Sequence, residues 1–119
     1  MKKILTIFSL LLLLVSCDKN TERKVTYEVS GAVSEYSLSY LDEHGEVITT
    51  KIIPESLEDI WRYSFMAEDG DVVYVSGRYL DVNSALRISI KVDGKVYKEG
   101  YSVGDTVKFL TVSGVIPYK

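Results

Sequence analysis

The sequence predicts an all-β protein, an antiparallel immunoglobulin-like β-sandwich of seven to eight short strands, and three observations predict it. From Lys24 onward, apolar and polar residues alternate with period two, and the apolar positions are rich in β-branched and aromatic side chains. Turn residues interrupt this alternation about every 8–12 residues, the spacing of a sandwich or barrel. No segment is long enough for the crossover helix that parallel strands require. At this chain length, two small sheets packed face to face are expected to bury Trp61, Phe65, Phe109 and the inward valines.

The strands follow in order. Val25, Tyr27 and Val29 share one face, opposite Thr26, Glu28 and Ser30; Tyr36, Leu38 and Tyr40 repeat the pattern. Asp42-Glu43-His44-Gly45 breaks the alternation with turn residues, and the strand pattern resumes from Glu46 to Ile53, which predicts a hairpin. Residues 54–60 are the only helix-like stretch; Ser56 can cap a single turn there, but seven residues cannot sustain a helix without tertiary support. Trp61, Tyr63 and Phe65 alternate again, Glu68-Asp69-Gly70-Asp71 turns, and the valine-rich run from Val72 to Arg78 reads as a central strand. Leu86, Ile88, Ile90 and Val92 form the cleanest inward row. Asp93-Gly94 after it is a strong two-residue hairpin signal, because glycine accepts the positive φ of a type I′ turn. Lys95 to Lys98 returns, Gly100 and Gly104-Asp105 mark a further turn, and Thr106 to Val115 closes the domain.

The amino end reads as an address. Met1-Lys2-Lys3 is positive, and Ile4 to Val15 is a twelve-residue apolar run interrupted only by Thr6 and Ser9. A membrane-spanning helix needs about 20 apolar residues, so this run matches the core of a secretory signal instead. It ends Leu14-Val15-Ser16-Cys17, which resembles the lipobox of bacterial lipoproteins. That resemblance implies a signal peptide over 1–16, diacylglycerol and a further acyl chain (palmitate-type) on Cys17, and attachment to the membrane through those chains. Residues 17–23 then form the lipidated cysteine and a short polar tether, and 24–119 the sandwich domain, held on a membrane of the bacterial cell envelope on its periplasmic or outer side.

Composition narrows the chemistry. The 119 residues carry a formal charge of −3, and loss of the first 16, whose only charges are Lys2 and Lys3, takes it to −5. An acidic chain without a basic cluster argues against nucleic acid as a partner. The single Cys excludes an intramolecular disulfide or thiolate cluster, and the single His excludes any two-imidazole metal site. His44 lies in a turn, no strand-to-helix elbow presents a serine, and no glycine-rich phosphate loop is found, so neither an enzyme nor a cofactor is expected. Glu68, Asp69 and Asp71 offer three carboxylates for calcium, with Asp81 or Asn83 as a further oxygen ligand, but without the spacing of an EF-hand; a solvated turn is the preferred reading. A small hydrolase requires a cleft that gathers Asp and Glu.

Nine tyrosines are the most unusual feature. Tyr27, Tyr36, Tyr40 and Tyr63 lie on inward rows. Tyr74 and Tyr79 fall on opposite faces of a straight strand, so one points outward, and Tyr97, Tyr101 and Tyr118 lie in short or terminal segments. Tyr79, Tyr97, Tyr101 and Tyr118 form the candidate recognition surface, since tyrosine combines contact area with low side-chain entropy.

Several blocks occur in a telling order: Val25-Thr26-Tyr27-Glu28-Val29-Ser30-Gly31, Leu38-Ser39-Tyr40, Gly45, Pro54, Trp61-Arg62-Tyr63-Ser64-Phe65, Gly70, Val73-Tyr74-Val75-Ser76 and Val92-Asp93-Gly94-Lys95. Together they resemble the MmpS family of transport accessory proteins, especially the small lipoproteins of that type found in Bacteroidetes. The family pattern sets proline beside tryptophan, whereas here residues 55–60 separate Pro54 from Trp61. Actinobacterial members look like periplasmic partners of resistance-nodulation-division-type exporters of lipids and siderophores. The resemblance implies a non-catalytic accessory module for a membrane-embedded partner, a transporter or another envelope protein. The alternative is a lipoprotein that binds carbohydrate or peptide through exposed tyrosines. A concave aromatic platform favours the second reading, and a flat patch near the Cys17 end favours the first.

Overall fold

The computed structural model describes residues 22–103 and 109–116, and within them the protein is an all-β sandwich of eight antiparallel strands. The strands are β1 (Glu22–Ser30), β2 (Tyr36–Leu41), β3 (Val47–Ile52), β4 (Trp61–Glu68), β5 (Val72–Tyr79), β6 (Ala85–Val92), β7 (Lys95–Val103) and β8 (Phe109–Val115). One sheet has the order β4-β1-β6-β7 and the other β3-β2-β5-β8. By connectivity, β1, β2, β3, β4, β5 and β8 take the positions of strands B, C, C′, E, F and G of an immunoglobulin-like Greek key. The β6–β7 hairpin extends the first sheet on the far side of β1.

The predicted alternation sets the core. Val25, Tyr27 and Val29 of β1 are fully buried, as are Leu38 of β2, Val73 and Val75 of β5, and Leu86, Ile88 and Ile90 of β6. Between β2 of one sheet and β1 and β4 of the other, the sheets are wedged by rings. Tyr40 lies 5.0 Å from Trp61 and 4.9 Å from Tyr63, and Tyr27 lies 5.3 Å from Phe65 in an edge-on arrangement. Such tilted and T-shaped pairs align ring edges with ring faces, which is favourable beyond the area buried.

Several expectations change. β1 opens at Glu22 rather than Lys24, pairing Glu22 with Glu68 and Arg23 with Ala67, so two residues of the expected tether belong to the sheet. Residues 54–60 form no helix; Asp59 N–H donates to the Ser56 carbonyl at 3.2 Å and Glu58 N–H to Ser56 Oγ, a single turn held by that serine. Gly100 marks no turn, because β7 runs through it opposite Ile88. A Cβ there would lie 2.8 Å from Val112 Cγ2, so the glycine lets β8 approach closely. Phe109, expected in the core, is 57% exposed. On β8 it is Leu110 and Val112 that face inward, and Phe109 has the opposite phase. The expected turn at Gly104-Asp105, the first residues of the expected closing strand, Cys17 and Tyr118 lie outside the described residues.

The Asp93-Gly94 hairpin forms as predicted, with φ of 51° and 83° at its two central residues, the signature of type I′. Asp93 also ties the turn to β1: its N–H donates to the Lys24 carbonyl at 2.8 Å, and its Oδ1 accepts from Lys24 N–H at 3.0 Å. Nothing lies within 4 Å of a Cβ placed on Gly94, so a substitution there acts through backbone strain alone. Gly94→Val is expected to destabilise the domain by about 1 kcal/mol or more, because a β-branched residue resists positive φ. Urea denaturation followed by Trp61 fluorescence measures this, and an unshifted midpoint contradicts it.

Candidate functional site

The nominated tyrosines do not form one surface. Tyr79 is 1% exposed on the inner face of β5, with its hydroxyl 2.9 Å from Ser102 Oγ; the outward tyrosine of this strand is Tyr74. Tyr97 is half-buried. Ile90 opposes Lys98 and Lys91 opposes Val96, so Tyr97 is the extra residue of a β-bulge, and its hydroxyl donates to the Val115 carbonyl at 2.5 Å. The bulge turns this ring into a clamp between the sheets. Tyr101 is 68% exposed, on the outer face of β7 opposite Arg87.

A different surface emerges from strand pairing. None of the four strands β2, β3, β5 and β8 contains an Asp or Glu, in a chain with 17 of them. The outer face of this sheet carries three rows. At the end where β1 begins, Val47 pairs with Leu41 and Tyr74 with Ser113, with the pair Val72 and Val115 beyond them, giving a largely apolar row that Ser113 interrupts. That row shares an end of the sandwich with Glu22, because Glu22 pairs with Glu68 and the turn after Glu68 leads into Val72. The middle row is Thr49, Ser39, Ser76 and Thr111 on successive strands, with Ser39 Oγ 3.1 Å from Thr49 Oγ1 and Ser76 Oγ 3.1 Å from Thr111 Oγ1. The remote row is Lys51, Ser37, Arg78 and Phe109. Apolar, hydroxyl and basic rows thus succeed one another away from the amino end.

The opposite face has another character. Glu28 accepts from Arg62 Nε at 2.9 Å and lies 3.0 Å from Lys91 Nζ, and Arg87 Nη2 meets Glu99 at 2.6 Å. The hydrogen bond from Arg62 is the main reason the Glu28 carboxyl titrates below its ordinary range, with Lys91 adding to it against partial burial. This is a solvated, charge-paired surface. Interface cores are depleted in charged residues relative to such surfaces, so the carboxylate-free face is the stronger candidate for contact.

The carboxylate-rich turns hold themselves. Asp71 Oδ2 accepts from Glu68 N–H at 2.9 Å, Asp69 pairs with Arg23 at 3.4 Å, and Asp81 Oδ1 accepts from Asn83 N–H at 2.9 Å. Among the described residues no three His, Cys, Asp or Glu side chains gather as metal ligands. A cleft of about 370 Å³ at the amino-end side is lined by Asp42, Glu43, His44 and Asp71. There, Asp42 Oδ1 accepts from the backbone N–H of His44 and of Glu46, both at 2.9 Å, so this carboxylate shapes the hairpin turn. His44 is a largely exposed side chain, 3.8 Å from Glu43. No helix among the described residues is long and apolar enough to cross a membrane.

Comparison with protein-family models gives no match, and comparison with curated proteins gives none either.

Proposed function

We propose that this protein is a lipid-anchored, non-catalytic accessory module of the bacterial cell envelope that docks on a membrane-embedded partner, a transporter in keeping with its MmpS-like sequence blocks. The observation that carries this reading is the carboxylate-free outer face of β3-β2-β5-β8, whose apolar residues Val47, Leu41, Tyr74, Val72 and Val115 surround Ser113 at the end where the chain enters the domain. Acyl chains on Cys17 would hold that end next to the bilayer, where an integral partner presents its own rim. The patch is built from strand faces and borders, through Leu41 and Val72, the cleft at this end; its lack of carboxylates suits the core of a protein–protein contact.

Site-directed photocrosslinking in intact cells tests this. A photoreactive phenylalanine analogue in place of Val47 or Tyr74 is expected to capture an integral membrane protein reproducibly, and the same analogue in place of the exposed Ser64 or Tyr101 on the opposite face is expected not to. Equal capture from both faces, or capture of soluble proteins alone, would overturn the reading.

A further inference from the structure

We propose that the cleft at the opposite end of the sandwich binds an acidic saccharide, with Arg78 as the anchor for its carboxylate. This goes beyond the docking reading and rests on different residues. The cleft holds about 560 Å³ and is lined among others by Ser34, Glu35, Ser37, Lys51, Arg78 and Asp81, with the buried rings of Tyr36 and Tyr79 behind them. Two features mark it as a polar binding site. Arg78 has no ion pair among the described residues, although it stands on the sheet face that lacks carboxylates. Ser34 Oγ is buried without a hydrogen-bond partner, an unmet demand at the wall of the cleft that is costly in a folded protein.

The class of ligand follows from the surrounding groups. Lys51 and Arg78 flank Ser37 on adjacent strands, and strands lie about 4.8 Å apart, so both cations reach a group held over the serine. Arg78 offers the planar fork that matches a carboxylate with two parallel hydrogen bonds. Glu35, 3.6 Å from Lys51, and Asp81 are rim acceptors. Lys51 is paired with Glu35, so Arg78 is the one cation of the cleft without an ion pair among the described residues; it matches a single negative charge better than a phosphate or sulfate dianion, and the rim acceptors suit a polyhydroxylated ligand. Phe109, directly opposite Arg78 and exposed, provides an apolar ring for the C–H face of a pyranose. The hydroxyl row of Thr49, Ser39, Ser76 and Thr111 continues beside it as partners for a further sugar unit. A uronic acid within an oligosaccharide fits this set.

Isothermal titration of the full chain in detergent tests it, with tetragalacturonate as probe and its fully methyl-esterified form as the uncharged control. The acid is expected to bind, with affinity falling about tenfold or more on esterification and by the same order in Arg78→Gln. Phe109→Ala is expected to weaken binding several-fold, and Arg62→Gln, an equal charge change on the other face, to leave it unchanged. Both Arg78 and Phe109 are exposed, and circular dichroism checks that each variant keeps its fold. Equal affinity for acid and ester, equal loss in Arg62→Gln, or no heat with about 10 mM probe would overturn the proposal. Tighter binding of an acetylated tripeptide with a free carboxyl end would overturn the saccharide assignment. Crosslinking from Val47 or Tyr74 reads the docking face alone, so the two proposals fail separately.

Discussion

Tyr27→Ala is expected to remove about 3–5 kcal/mol of folding stability, the range for deleting a large buried aromatic side chain. Tyr27 is fully buried on β1, and its ring contacts those of Tyr40, Tyr63 and Phe65 with centroids 6.1, 6.1 and 5.3 Å away. Its hydroxyl crosses to the other sheet, donating to the Leu41 carbonyl at 2.7 Å and accepting from Tyr74 N–H at 3.4 Å. One side chain therefore joins three strands. Total stabilities of small domains are about 5–15 kcal/mol, so the alanine variant should be close to unfolding. Tyr27→Phe keeps the ring and strands the Leu41 carbonyl, at a cost of about 1–2 kcal/mol. Urea denaturation of both variants separates packing from hydrogen bonding. Equal losses would mean that the hydroxyl, not the ring wedge, carries the stabilisation.

The second large effect is a loss of stability in alkali. Burial pushes the phenols of Tyr27 and Tyr36 up from 10.0 to about 12; for Tyr36 the nearby Asp59 carboxylate adds to this. In the unfolded chain both ionise near pH 10, while the folded protein still holds its protons, so folding is linked to proton uptake over that interval. The stabilisation is complete below pH 10 and is lost as pH rises toward 12. Each tyrosine contributes a slope of at most about 1.4 kcal/mol per pH unit. Denaturation midpoints measured between neutral pH and pH 12 are expected to fall steeply above 10, and Tyr36→Phe is expected to reduce that slope by about half. A flat profile across the interval would contradict the burial of both hydroxyls.

The sandwich was legible because its signals are local. Val25, Tyr27 and Val29, or Leu86, Ile88 and Ile90, need only period-two alternation to declare a face, and Asp93-Gly94 needs only the sterics of positive φ. The recognition surface was less legible because it depends on phase. Apolar residues occupy both phases of β5 and of β8, so the sequence reading placed Tyr79 rather than Tyr74 outward and Phe109 inward, and both are the reverse. The bulge at Tyr97 has no signature in its own residues, and Gly100 resembles a turn until the packing of Val112 explains it. The carboxylate-free face was out of reach for a further reason. Its rows draw single residues from four strands far apart in sequence, and only the order β3-β2-β5-β8 brings them together.

The early start of β1 shortens the leash. With Glu22 in the sheet, only the four residues 18–21 separate Cys17 from the domain, at most about 14 Å of fully extended chain. If Cys17 is acylated as proposed, the domain is confined to a thin layer above one leaflet, and its encounter with any integral protein there is nearly two-dimensional. Confining both proteins to one layer raises the concentration of each at the other, so a weaker face is occupied than free diffusion in solution would allow. A patch of five apolar residues around Ser113, too small to hold a freely diffusing complex together, is then sufficient.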